Sequence, residues 1–321
     1  MNHTEFNNPA HRYGMTKRIK IRGFVSLLCV LGILTAIAIF VLHSDQQRTI
    51  TSMGTNGAVI SRDKTRISYT KLGSGPSIIL VDGAFCYREN GPSTELAALL
   101  AQHFTVLAYD RRGRGESGDN PPYSVQREID DLAAIVNQTG EPAYVLGISS
   151  GAALALQAAA SGVPIKKLAL YEPPFISDNG IPRSFEGNKA RLNELIASGD
   201  RGGAVRFFLT DVYGAPKAFA LAMPLIMPGA WKRNKSVVQT LPYDLTILDD
   251  RSVLNERSAL VSVPTLVIGG EKSPKELRDA VEVVAHALPD GRVRILAGQD
   301  HNLSARVVAP VVAEFFGNTQ E

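Results

Sequence analysis

"AYVLGISSGAALALQAAA", residues 143–160, changes character at its middle. The first five residues are a short apolar run of buried-strand type, and the last ten are alanine-rich with helical spacing. Gly147-Ile148-Ser149-Ser150-Gly151 lies at the junction and fits the pattern G-x-S-x-G. So sharp a strand-to-helix turn strains its central residue and lifts that side chain above the sheet. The flanking glycines let strand and helix approach without a β-carbon clash. Ser149 thereby becomes a candidate nucleophile. Ser150 follows it at the N-terminus of the new helix, where its backbone N–H points at a developing oxyanion. A turn with an N-cap serine is the plainer alternative.

Outward from this bend, short apolar runs alternate with helical patterns. Strands are predicted at 66–72, 77–82, 104–109, 143–147, 166–171, 264–270 and 292–297. Helices are predicted at 93–103, 125–138, 150–161, 274–288 and 307–316. That alternation predicts an α/β fold, a mostly parallel, doubly wound sheet covered on both faces. It breaks between Pro173 and about Asp250, where helical patterns persist without a confident strand. The break predicts a helical cap, about 174–250, over the carboxyl edge where ligands bind such sheets. Phe207, Phe208, Met223, Met227 and Trp231 would line an apolar pocket there or form the cap's own core.

Serine is a poor nucleophile at its ordinary pKa and needs a base. Of the six histidines, His3, His11 and His43 surround an N-terminal apolar run, His103 ends a helix, and His286 lies within one. Only His301, in "LAGQDHNLS", follows the last predicted strand on the edge that carries Ser149.

With these residues in place the chain from about Ile60 to Phe316 resembles the α/β-hydrolase fold family. The likeness rests on "GISSG", the late "QDHN", and "YDRRGRGESG" at 109–118. It implies that Arg111, Arg112 and Arg114 belong to a structural turn bordering the site. "VDGAF", 81–85, matches the family's oxyanion loop, which implies that Ala84 gives a second backbone N–H, with Asp82 where histidine is usual. The family's two usual positions for the triad acid offer Glu271 and Glu172, and Asp244 is a third choice. Glu172 stands at a strand's carboxyl end before two prolines and leads on position. Glu271 lies in "GGEKSP", where Ser273 occupies the place of a common aspartate. Asp244, in "LPYD", is on the cap side.

Charge and hydropathy separate the N-terminus from the rest. The chain has 321 residues with 34 Lys+Arg and 31 Asp+Glu; five of those bases and one acid fall in residues 1–22, so the remainder nets −1. No basic face is needed to account for the chain's charge, and nothing suggests a nucleic-acid partner. Residues 23–42 contain no charge and match the length of a bilayer-spanning helix. Their basic flank places 1–22 in the cytoplasm and the main domain outside it. No small-x-small cleavage site follows the run, which favours an uncleaved anchor over a signal peptide. A start at Met53 would instead give a cytoplasmic, soluble domain. A polar linker is expected at 43–58 and the hydrolase-like domain at 59–320. Cys29 and Cys86 are too separated in context for an internal disulfide.

The expected activity is a serine hydrolase acting on a small apolar ester, thioester or lactone, with Ser149 as nucleophile, His301 as base and Glu172 as acid. No metal cluster or phosphate loop is visible, so no cofactor is implied. A C–C bond hydrolase or cofactor-free peroxidase on the same triad is a rival, as is a non-catalytic, membrane-tethered binding protein.

Overall fold

The structure, a computed structural model, describes residues 54–178 and 181–317. The eight-stranded sheet is built from β1 (Thr55–Ile60), β2 (Arg66–Leu72), β3 (Ser77–Val81), β4 (Thr105–Tyr109), β5 (Ala143–Ile148), β6 (Ile165–Tyr171), β9 (Thr265–Gly270) and β10 (Gly291–Leu296). Its spatial order is β1-β2-β4-β3-β5-β6-β9-β10. Only β2 runs against its neighbours; from β4 to β10 all pairings are parallel. Seven of these eight strands, β1 excepted, fall where the sequence predicts them, because strands buried on both faces read as unbroken apolar runs.

Alternate residues of each strand feed different layers. Ile79 and Val81 of β3, with Val145 of β5, face one core shared with α2 (Val125–Asn137), α3 (Ser150–Ala160) and α9 (Lys275–Ala287). Ile78 and Leu80, with Tyr144, Leu146 and Ile148, face the other, closed by α1 (Ser93–Leu100) and α10 (Ala305–Gly317). Helix α3 is buried along its whole length, and its alanines let it lie close against β5 and β6.

Between β6 and β9 the chain leaves the sheet. A two-residue ribbon, β7 (Ser177–Asp178) with β8 (Ile181–Pro182), precedes five helices: α4 (Glu186–Ala197), α5 (Arg201–Phe207), α6 (Lys217–Ile226), α7 (Pro228–Val237) and α8 (Leu241–Asp249). A π-turn, Phe208–Val212, separates α5 from α6. The segment expected to be a cap is therefore helical, with bounds close to 174–250.

One boundary needs correction. The linker expected over 43–58 lies outside the described residues up to 53, but Thr55–Ile60 is an edge strand paired with β2. Only Val59 of its six residues is buried, so no apolar run announces it. Backbone pairing holds it in place, and Gly57 gives room to the Tyr69 ring, whose tip lies 2.5 Å from where a β-carbon would be. The run at 23–42 expected to span a bilayer also lies outside the described residues. None of the described helices is long and apolar enough to cross a membrane.

Candidate active site

The bend at the end of β5 has the geometry its glycines imply. Ser149 holds φ 55° and ψ −125°, a conformation costing a non-glycine residue about 1–3 kcal/mol. Surrounding contacts over-determine it. Its N–H donates to the Tyr171 carbonyl at 2.8 Å, and its carbonyl accepts from Ala152 N–H at 2.9 Å. A β-carbon at Gly147 would lie 2.5 Å from Ala152 Cα, and one at Gly151 would lie 2.2 Å from the Val81 carbonyl. Both positions exclude any side chain.

His301 stands in the loop between β10 and α10. Its Nε2 is 3.1 Å from Ser149 Oγ and its Nδ1 is 2.7 Å from Glu172 Oε2. Those partners fix the tautomer: Nδ1–H donates to the carboxylate, and Nε2 accepts from the hydroxyl. Tyr171 ties the loop to β6 by donating its hydroxyl to the Asp300 carbonyl at 2.5 Å.

Glu172 closes β6 with φ 46° and is fully buried. Burial alone would raise its carboxyl, but hydrogen bonds from His301, from the Ser273 hydroxyl and from Gly270 N–H outweigh it and hold the group below the ordinary carboxylate range. Oε1 accepts the Ser273 and Gly270 bonds at 2.5 and 2.7 Å. Ser273, noted in sequence only as a missing aspartate, therefore braces the carboxylate.

The other two acid candidates do not reach His301. Glu271 is exposed, and its Oε2 accepts from Gly298 N–H at 2.9 Å, which pins the turn leading to the histidine. Asp244 is buried on α8 and bound three times over. Its Oδ1 accepts from Ser150 Oγ and Arg111 Nη1, both at 2.7 Å, and its Oδ2 from Arg114 Nη2 at 2.7 Å. Burial raises its carboxyl, and the guanidiniums of Arg114 and Arg111 outweigh that and lower it.

These arginines reach the loop after β3. Arg111 Nη1 donates to the Asp82 carbonyl at 3.2 Å, and Arg114 Nη1 to the Gly83 carbonyl at 2.6 Å. The Gly83 carbonyl and the Ala84 N–H belong to one peptide group, so Arg114 fixes the plane of that donor. The N–H groups of Ala84 and Ser150 make no hydrogen bond among the described residues. A β-carbon on Gly83 would lie 3.5 Å from Ser149 Oγ, which places this loop directly beside the hydroxyl. Arg112, by contrast, pairs with Asp131 and Asp63 away from the site. Asp82 is buried, accepts from Ser93 Oγ at 2.7 Å, and is pushed up to about 6 by burial, against the pull of Ser93 and Arg114.

From the cap, Tyr213 places its ring 5.8 Å from that of His301, and Phe208 meets Phe85 edge-on at 5.1 Å. Neither contact has a signal in the sequence. Phe208 and Met223 are buried; Phe207 and Trp231 are partly buried and pack against the larger core, while Met227 is also half-buried. Most of that set is thus cap core. No group of three His, Cys, Asp or Glu side chains able to hold a metal occurs among the described residues.

Comparison with known proteins agrees with this architecture. The curated relatives include the uncharacterized hydrolase YraK of Bacillus subtilis (strain 168), 35% identical over 111 residues, 32% of this chain and 39% of that protein. N-formylmaleamate deformylase of Pseudomonas putida KT2440 is 32% identical over 126 residues, 37% of this chain and 45% of that protein. The chain thus spans less than half the length of these relatives. An α/β hydrolase from Sphaerobacter thermophilus DSM 20745 is 43% identical, with a TM-score of 0.75, over 81% of this chain and 100% of that one. Residues 73–314 match the family model described as "Alpha/beta hydrolase family", which is most of the chain, and the protein belongs to that family.

Proposed function

We propose that the protein is a serine hydrolase that cleaves a carboxylic ester, thioester or lactone of a small apolar substrate through an acyl-enzyme. The observation that carries this reading is His301, bridging Ser149 Oγ and Glu172 Oε2. An ionised Glu172 keeps the proton on Nδ1 and leaves Nε2 free as the base. Nε2 takes the hydroxyl proton while Oγ bonds to the carbonyl carbon, and the carbonyl electron pair moves to its oxygen. The N–H groups of Ala84 and Ser150 receive that oxyanion. The imidazolium then protonates the leaving group as its bond to carbon breaks. Water, deprotonated by the same Nε2, attacks the acyl-enzyme and restores Ser149.

The partial likeness to N-formylmaleamate deformylase supports a second reading in which the bond cleaved is the C–N bond of an N-formyl amide, by the same steps. One panel covers both: short and medium acyl esters, thioesters, lactones and N-formyl amides, assayed beside Ser149→Ala. Turnover in the parent with loss of about 10³-fold or more in the variant is expected. No turnover of any member would sink the hydrolase reading.

We also place the domain outside the cytoplasm, anchored by residues 23–42, on the strength of that uncharged run and the basic residues before it. A reporter that works only outside the cytoplasm, fused after Gln46, tests the topology. A reporter active only inside the cytoplasm would overturn it.

A further inference from the structure

Helix α6 turns Ala220 and Met223 inward and leaves its large side chains Phe219, Leu221, Leu225 and Ile226 in the open. Leu225 is 86% exposed and Leu221 68%, with Phe219 and Ile226 also exposed. Residues 215–230 contain a single charge, Lys217. Large apolar side chains scattered singly over a surface are ordinary, but grouped on one helix they mark a face that meets an apolar partner.

The segment that carries this face is basic. Residues 201–240 carry Arg201, Arg206, Lys217, Lys232, Arg233 and Lys235 against Asp211 alone, a net of +5, while the rest of residues 59–321 nets −6. None of the six cations pairs with a carboxylate among the described residues. Arg206 and Lys235 lie over the Trp231 ring, 5.5 and 5.9 Å from its centre. An apolar helix face flanked in sequence by bases without acidic partners has the makings of a helix that lies in a bilayer interface. At ten residues, α6 is about 15 Å long and too short to cross.

We propose that α6 docks the cap onto the surface of an anionic lipid bilayer. Its apolar side chains enter the boundary between headgroups and acyl chains, and the surrounding bases meet the headgroups. A second copy of the chain fits the face poorly, because a two-fold contact would set two positive caps against each other. The anchor reading points the same way. Only the twelve residues 43–54 separate that uncharged run from β1 in the sequence. The docking is independent of the triad, although Tyr213 beside His301 leads directly into α6.

The test uses the full chain and vesicles. Trp231 is the sole tryptophan, so Trp231→Phe combined with Leu225→Trp leaves one indole at the most exposed apolar position. In phosphatidylcholine–phosphatidylglycerol vesicles with brominated chains, its emission should shift to the blue and be quenched. In phosphatidylcholine alone it should not, whether or not residues 23–42 hold the chain in the vesicle. Lys217→Gln with Lys232→Gln should lower the ratio of docked to free cap roughly 30-fold. Leu221→Ser with Ile226→Ser should abolish the quenching, and all four of these positions are exposed, so folding is spared. Adding Ser149→Ala should change nothing, which separates docking from catalysis. Water-like emission in anionic vesicles, or equal quenching in both lipids, overturns the proposal. So does shielding that grows with protein concentration instead of lipid, the mark of a second copy on that face.

Discussion

Glu172 and Asp82 are both buried carboxyls, and their surroundings move them in opposite directions. Three donors hold Glu172 ionised despite burial. Its contribution to stability is present above the unfolded carboxyl range and is lost as pH falls through its lowered value. Glu172→Gln keeps the shape but removes the charge that stabilises imidazolium in the proposed mechanism. We expect kcat to fall by about 10³–10⁴ with little change in KM, and Glu271→Gln to leave kcat near the parent value. Steady-state assays of both variants decide between the two acids. Asp82 behaves in reverse, because its folded value of about 6 lies above the unfolded one. Its stabilising effect is full below about pH 4 and is lost as pH rises through about 6, by about 3 kcal/mol. Thermal melts across that range should show Asp82→Asn gaining on the parent as pH rises; parallel curves would refute burial as the cause. That Ser149 and His301 meet was legible in the sequence, because a local motif and a position after the last strand single them out. The acid stayed open among three residues because its identity depends on β6 lying beside β9, which brings Ser273 to Glu172 across 101 positions of chain.

At the scale of elements, the bend between β5 and α3 depends on two glycines with no room for a β-carbon. Gly151→Ala would set that carbon against the Val81 carbonyl, backbone against backbone, where no side chain can rotate away. We expect a loss above about 3 kcal/mol in chemical denaturation. Gly162→Ala is the control: nothing lies within 4 Å of a β-carbon there, but φ is +80°, so the cost should be only about 1–2 kcal/mol. Seven strands and five helices of the main layers were readable because burial on both sheet faces writes itself as apolar runs, and helix amphipathicity as a different period. The edge strand β1 was not readable, since it is held by backbone pairing and buries one side chain. Nor was the π-turn that sets Tyr213 over His301, which follows from how the cap packs.

For the whole molecule, cap and sheet meet in one buried ionic cluster. Asp244 comes from the cap; Arg111 and Arg114 come from the turn after β4 and carry its hold to the peptide between Gly83 and Ala84. A sequence candidate for the acid thus ties the cap to the loop after β3 that carries Ala84. Asp244→Asn leaves the buried Arg114 guanidinium without a carboxylate and Arg111 with Glu128 alone. It should cost about 3–5 kcal/mol in stability and lower kcat more than it changes KM. An unchanged kcat in a folded variant would show the cap and loop to be independent. That coupling matters only if the hydroxyl beside the loop is the nucleophile. The decisive measurement is mass spectrometry of the full chain after reaction with a fluorophosphonate. A single adduct should appear on Ser149, in the parent and in Ser150→Ala alike, with none in Ser149→Ala and much slower labelling in His301→Ala. An adduct on any other residue, or undiminished labelling of Ser149→Ala, would contradict the assignment.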